Sequence, residues 1–367
     1  MPGLAQRREL YIDAFRGLMA LLMVQGHVFA TVLSPAARAL PLYQLQLVVH
    51  GSTAPGFLFA SGFVAGLPRA PLSRSASLRR ARRLLFVWGV GYALHLPYAS
   101  LWKTLAEATP AEKALLYTCD ALQVIALTQL LVIGLQALFG ALWTRLALVL
   151  SLVVLAVGPW VWAAGLSERL HPALGAYLDI RTGSHFPVFP FATFVLAGTV
   201  AGAELGRQVA SRRRRRGLIA AAILLVGGAL LSIVFAGGMD FWGISPGYVL
   251  LRLGALLLVL LATEVMASRA PGLLRPVALL GHETLLVFCL HLLLLYGGVL
   301  VDAPPLVALH QALGFAGAFA TLAALLPVLY LAAALWQLFK QRAPHPAQLV
   351  LVFLSTAFLY DFLTRPY

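Results

Sequence analysis

Apolar runs of about 20 residues recur along the whole chain, and polar and apolar positions do not alternate inside them. Each run can cross roughly 30 Å of hydrocarbon as a helix rising about 1.5 Å per residue. The strands of a membrane barrel would alternate instead. The pattern predicts helices at 13–34, 44–67, 84–101, 114–139, 146–165, 186–206, 217–236, 247–267, 277–301, 309–338 and 347–363. The expected fold class is all-α, a polytopic membrane helix bundle of about ten or eleven transmembrane helices. No connection is long enough to hold a soluble domain, so residues 1–367 read as one domain. Its chemistry-bearing part is 11–301, and the helices over 309–363 complete the bundle. The last span, 347–363, is the shortest and carries Asp361.

Composition agrees with a chain in lipid. Apolar residues make up 61% and charged residues 11%, against roughly 45–50% and 25% in soluble domains. The net charge of +14 raises the question of nucleic acid, but the basic residues are not scattered. With the N-terminus inside, 19 of the 27 Lys and Arg fall in cytoplasmic segments, six fall outside, and Arg16 and Arg252 lie within helices. That asymmetry sets the orientation by the positive-inside rule. Eleven crossings then put the C-terminus outside. The runs "RSASLRRARR" (74–83) and "RQVASRRRRRG" (207–217) read as topology signals that touch anionic membrane lipids, and no nucleic-acid partner is implied. The first apolar run is too long for a cleavable signal peptide and lacks a small-residue cleavage site. Cys119 and Cys289 both fall inside helices, so no disulfide framework is expected. The abundance of Ala, Leu, Gly and Arg fits a bacterial inner membrane.

An ionisable side chain at bilayer depth costs about 2.5–3.5 kcal/mol on insertion scales, so each one needs a partner or a task. In "YIDAFRGLMALLMVQGH" (11–27), Arg16 and His27 are 11 residues apart. At 100° per residue that is close to three turns, which puts both on one helix face with His27 about 16 Å deeper. Asp13, one turn before Arg16, can pair with it. In "LLGHETLLVFCLHLLLLYGG" (279–298), His291 stands about 13 Å beyond His282 and so approaches the depth of His27. Glu283 is placed to cap the start of that helix. On the outer side lie His50, His95, His171, His185 and Asp120. Their spacing matches no zinc motif, so no metal is expected; a polar vestibule for a hydroxylated acceptor accounts for them.

Phosphate-cradling glycine motifs and GxSxG are absent, which argues against nucleotide hydrolysis and a lipase-type serine. What remains is histidine within the membrane, arginine at the inner mouth and a polar vestibule outside. That layout suits a phosphate-bearing donor from the cytoplasm, an acceptor from outside and a general base between them. The alternative is a proton-coupled transporter of a polar or anionic solute, with Arg16, His27, Asp120 and Glu264 as its path. No internal repeat or pair of matching broken helices favours such a carrier.

"YIDAFRGLMALLMVQGH" resembles the opening helix of the transmembrane acyltransferase superfamily, which includes the acyltransferase-3 and heparan-α-glucosaminide N-acetyltransferase-like families. "PGFLFASGF" (55–63) followed by "RRARRLLFVW" (79–88) resembles its second helix and basic inner loop. "DALQVIALTQLL" (120–131), "FPVFPFATFVLAGTVAG" (186–202) and "LLGHETLLVFCLH" (279–291) resemble later segments of the heparan branch.

The resemblance implies a membrane enzyme that takes an acyl group, usually acetyl, from cytoplasmic acyl-CoA and passes it to a hydroxyl or amine of an extracytoplasmic glycan or glycolipid. It implies no metal, and it admits a homodimer. Arg16 with Arg79, Arg80, Arg82 and Arg83 is expected to contact the CoA phosphates. Acyltransferase-3 proteins carry an Arg and His pair in the first helix, which maps onto Arg16 and His27; the heparan branch places its histidine later, nearest here to His50. The active histidine is therefore His27 or His50, acting as base or as acyl carrier. His291 either orients that base or stabilises the oxyanion. Asp120, Gln123 and Arg252 are expected to line the acceptor vestibule.

Overall fold

The computed structural model describes residues 4–68, 73–234, 243–298 and 306–366. The longer helices, in chain order, are α1 (Leu4–Val32), α2 (Pro41–His50), α3 (Thr53–Gly66), α4 (Arg74–Ala93), α5 (Ala121–Phe139), α6 (Trp143–Ala164) and α7 (Val188–Leu205). They continue as α8 (Ala210–Val234), α9 (Pro246–Arg269), α10 (Pro271–His282), α11 (Thr284–Tyr296), α12 (Phe315–Arg342) and α13 (Pro344–Thr364). The protein is an all-α polytopic bundle, as the apolar runs require.

Among the described residues, eight helical stretches are long and apolar enough to cross a membrane, or nine when the bent pair α10 and α11 is taken as one span. One stretch, Ala121–Ala164, has 44 residues, about 66 Å of helix and twice the hydrocarbon thickness. It holds α5 and α6, separated by a 3₁₀ turn at Gly140–Leu142, and so corresponds to two of the expected helices.

Four expectations change. The single helix expected over 44–67 divides at Gly51 and Ser52 into α2 and α3. The span expected over 84–101 is displaced: the helix starts at Arg74, the first residue of the basic run, and ends at Ala93. Ser73 Oγ there accepts the Ala76 amide at 3.2 Å, as a Ser N-cap does. The helix expected from 114 divides into Pro110–Tyr117 and α5. The single helix expected over 277–301 is broken at Glu283, where α10 and α11 meet at 71°. The expected ends at 235–236 and 299–301 lie outside the described residues.

The chain divides into two compact units. The first comprises residues 1–53, 94–116 and 270–367. In it, α1 packs on α10 at backbone distance: a Cβ on Gly17 would overlap the Val277 carbonyl, and one on Gly281 would overlap the Asp13 carbonyl. Small residues at such crossings let two backbones meet in lipid, where no hydrophobic force drives helices together. The end of α1 is tied down by segment 311–313. Leu313 N donates to Val32 O, Gln311 N to Thr31 O, and Ser34 N to Leu313 O, each at 2.9 Å. The first two bonds satisfy α1 carbonyls that a helix C-terminus otherwise leaves open. The C-terminal helix α13 is pinned through Ser100 Oγ to Arg365 O at 2.8 Å and Trp102 Nε1 to Leu363 O at 3.1 Å.

The second unit comprises 54–93 and 117–269. Here α3 and α7 meet through a reciprocal set of glycines. Gly62 and Gly66 face the carbonyls of Val195 and Thr199, while Gly198 and Gly202 face those of Phe59 and Phe63. Helices α8 and α9 are joined by a buried ion pair, Arg213 Nη2 to Glu264 Oε1 at 2.7 Å.

Candidate active site

The first unit gathers histidines around the second half of α1. His27 Nδ1 lies 2.8 Å from His291 Nε2, and His291 Nδ1 lies 2.8 Å from the carbonyl oxygen of Val287. A carbonyl only accepts, so His291 Nδ1 carries the proton. In the neutral ring its Nε2 is then the acceptor, and His27 Nδ1 must donate to it. His27 is thereby held as the Nδ1–H tautomer, with the basic lone pair on Nε2. His291 is fully buried at 0% exposure. Tyr296 closes on the His27 ring edge to face, with centroids 6.2 Å apart.

His50 also reaches this cluster. Its ring centroid is 5.3 Å from that of His27, with the planes at 72°. Its Nδ1 edge presses on Gly26, where a Cβ would overlap the ring. That nitrogen is buried and has no hydrogen-bond partner. Gly26 thus makes room for the contact between α2 and α1, and His50 turns its Nδ1 toward backbone.

Arg16 sits three turns earlier on α1. Its Nη1 donates to Asp13 Oδ1 at 3.1 Å, the expected pair, and its Nη2 donates to Thr284 Oγ1 at 2.7 Å. Thr284 opens α11, which delivers His291 to His27 two turns later, so α11 advances along α1 in the same sense and holds both ends of the Arg16–His27 face. Glu283, at the break, does not cap α11 with its side chain. Only 5% exposed, it accepts from Lys340 Nζ at 2.6 Å and from His282 Nδ1 at 2.8 Å. The buried carboxylate is therefore compensated by a cation from α12.

The remaining expected site residues belong to the second unit. Arg79, Arg82 and Arg83 are exposed on α4, with Arg80 partly buried beside them. Asp120 is the N-cap of α5 and forms a capping box with Gln123: Asp120 Oδ1 accepts the Ala121 amide at 2.7 Å, and Gln123 Oε1 accepts the Asp120 amide at 3.2 Å. Both thus carry a structural role at a helix start. Arg252 lies over the Tyr248 ring, 3.8 Å from its centroid, a cation–π contact.

A family model described as an acyltransferase domain matches residues 9–337. The chain belongs to the acyltransferase-3 family. No curated protein sequence matches it. Membership makes the chain a membrane acyltransferase and decides against the transporter reading. Of the two branches the sequence resembles, the match is to the acyltransferase-3 family.

Of the residues the sequence singles out, the structure brings His27, His50 and His291 together and sets Arg16 earlier on the same helix. Sequence reasoning missed Thr284, Tyr296, Val287 and Lys340, whose roles depend on the break at Glu283. Gly26 had a visible signal, since a small residue stood next to the histidine of the first helix.

Proposed function

We propose that the protein transfers an acyl group, acetyl in the first instance, from acyl-CoA to a hydroxyl of a saccharide acceptor, with His27 as the general base. The observation that carries the reading is the relay from Val287 O through His291 to His27. It supports a lone pair on His27 Nε2 and favours the orienting role for His291 over that of oxyanion donor.

In the step proposed, His27 Nε2 takes the proton of the acceptor hydroxyl as its oxygen bonds to the thioester carbonyl carbon. The tetrahedral intermediate collapses with cleavage of the C–S bond, and the His27 imidazolium returns its proton to the CoA thiolate. Developing charge on His27 is supported through Nδ1–H and the buried neutral ring of His291. The arginines of α4 suit the CoA phosphates, because guanidinium forms charge-assisted bidentate contacts with phosphate. Within the first unit Arg16, fixed by Asp13 and Thr284, places a cation about 16 Å along α1 from the base. His50, with Nδ1 against Gly26, serves the packing beside the base. The orientation with Arg16 toward the cytoplasm rests on the distribution of basic residues, and it puts the acceptor on the extracytoplasmic side of a bacterial inner membrane.

The test uses purified full-length protein and acetyl-CoA, with release of the CoA thiol followed in the presence of a cell-envelope glycan extract. Wild type is expected to release CoA and label the glycan, whereas His27→Ala loses both. Equal turnover by His27→Ala would overturn the assignment of the base.

A further inference from the structure

Near the C-terminal end of α1 the first unit buries polar atoms that the fold does not satisfy. Gln46, on α2, has both Nε2 and Oε1 buried without a hydrogen-bond partner, and Arg38 has its Nε in the same condition. An unpaired buried polar group is destabilising, so native chains rarely keep several without a use for them.

Their positions follow from contacts along α1. His50 rests on Gly26, and an Nη2 of Arg38 donates to the carbonyl of Ala30, one turn further on. Three residues after Arg38, α2 begins at Pro41, so it starts at the level of Ala30 or beyond and runs back along α1 to His50. Gln46 precedes His50 by one turn on the same side of α2, which returns it by about 6 Å to the level of Ala30. Arg38 and Gln46 therefore share one level of α1. Ala30 is three residues past His27, on an adjacent part of the helix surface. The level lies beyond the proposed base, on the side away from Arg16.

We propose that Arg38 and Gln46 form the subsite that binds the acceptor, a saccharide presenting neighbouring hydroxyls. The proposal rests on the acyltransferase reading above and adds where the acceptor is held. A primary amide is complementary to a vicinal diol, since Nε2 donates to one hydroxyl oxygen while Oε1 accepts from the next O–H. The Arg38 Nε–H supplies a further donor to a ring or hydroxyl oxygen. The amides of a pantetheine arm could use the same groups, but a donor held from the Arg16 side ends at His27 and stops short of this level.

The experiment compares wild type, Gln46→Leu and Arg38→Lys as purified full-length protein. The probes are acetyl-CoA with methyl α-D-glucopyranoside and its 2-, 3-, 4- and 6-deoxy analogues, with acetyl-glycoside and acetate measured separately. In Gln46→Leu, the share of acetyl captured by sugar rather than water should fall about tenfold per lost hydrogen bond, and the KM for glycoside should rise. Wild type should discriminate against at least one deoxy analogue, and both variants should lose that discrimination. Removal of an orphaned buried amide should leave the unfolding temperature of Gln46→Leu at or above that of wild type, and the glycoside should raise it only in wild type.

The proposal is overturned if no glycoside is acetylated by an enzyme that does cleave acetyl-CoA, or if the variants raise the KM for acetyl-CoA instead. It also falls if Gln46→Leu unfolds at lower temperature with its discrimination unchanged, the mark of a structural amide. A wild type that leaves the thioester intact with every probe overturns the acyltransferase reading itself.

Discussion

His27 Nδ1 and His291 Nε2 stand 2.8 Å apart, with their rings within 8° of parallel. The pair fixes a tautomer, and that has a consequence for mutagenesis. His27→Ala removes the base and should lower kcat by about 10²–10⁴-fold, the usual contribution of general base catalysis. His291→Leu leaves the base but frees its tautomer, so kcat should fall while the KM for acetyl-CoA holds. His291→Gln keeps an oxygen that can accept from His27 Nδ1–H and should retain more activity than His291→Leu. Steady-state kinetics on the three variants checks the order.

The contact between α1 and α10 predicts a sharp contrast among glycines. Gly17→Ala and Gly281→Ala drive a methyl group into backbone carbonyls, those of Val277 and Asp13. Backbone cannot swing aside, so each should cost about 1–3 kcal/mol and lower the unfolding temperature. Gly134→Ala in α5 meets nothing within 4 Å. It should be neutral or stabilising by up to about 1 kcal/mol through helix propensity. Thermal unfolding in one detergent separates the two classes. The same variants test function, because α10 leads through the break at Glu283 to α11 and His291.

Much of this arrangement was legible in the sequence. Helical phase alone aligned Arg16 with His27, and a count along the second histidine segment brought His291 to the depth of His27, which the 2.8 Å contact bears out. The break between α10 and α11 was not legible. Gly281 stands two residues before Glu283, but it is spoken for by the close approach to the Asp13 carbonyl, and the bend accompanies tertiary partners, Lys340 on α12 and the Arg16–Thr284 bond, that the local sequence does not contain. Asp120 and Gln123 show a different failure. The D-x-x-Q spacing is a visible capping box, yet reading the apolar run from residue 114 placed both inside a helix, where a carboxylate calls for a function.

The arginines of α4 predict a salt-dependent donor affinity. Arg82→Glu with Arg83→Glu reverses two exposed charges on the face proposed for CoA phosphates. The KM for acetyl-CoA should rise about tenfold or more, with a smaller change in kcat. Added salt should weaken wild type more than the variant, because screening acts on exposed charge pairs over about 10 Å at 0.1 M. Dephospho-acetyl-CoA, which lacks the 3′-phosphate, should lose less between wild type and variant than acetyl-CoA does. Equal effects with both donors would move the phosphate contact away from these residues.

In the second unit, the Arg213–Glu264 pair offers a test of what a buried ion pair does in this fold. The carboxylate is 5% exposed and the arginine 8%, and Arg214 Nε stands a further 3.6 Å from the same oxygen. Arg213→Met leaves a buried charge whose nearest remaining partner is Arg214, and removal of one member of such a pair typically costs about 3–5 kcal/mol. Arg214 compensates in part, so the loss should fall toward the lower end. The double variant Arg213→Met with Glu264→Leu removes both charges together with their desolvation cost, and it should recover most of the stability lost by the single change. Unfolding free energies for the two single variants and the double variant close the cycle. Full recovery would assign the pair to positioning α8 against α9 rather than to net stability. A double variant as unstable as the worse single one would show instead that the charges satisfy further groups, among them the Gln208 carbonyl that accepts from Arg213 Nη1 at 3.2 Å.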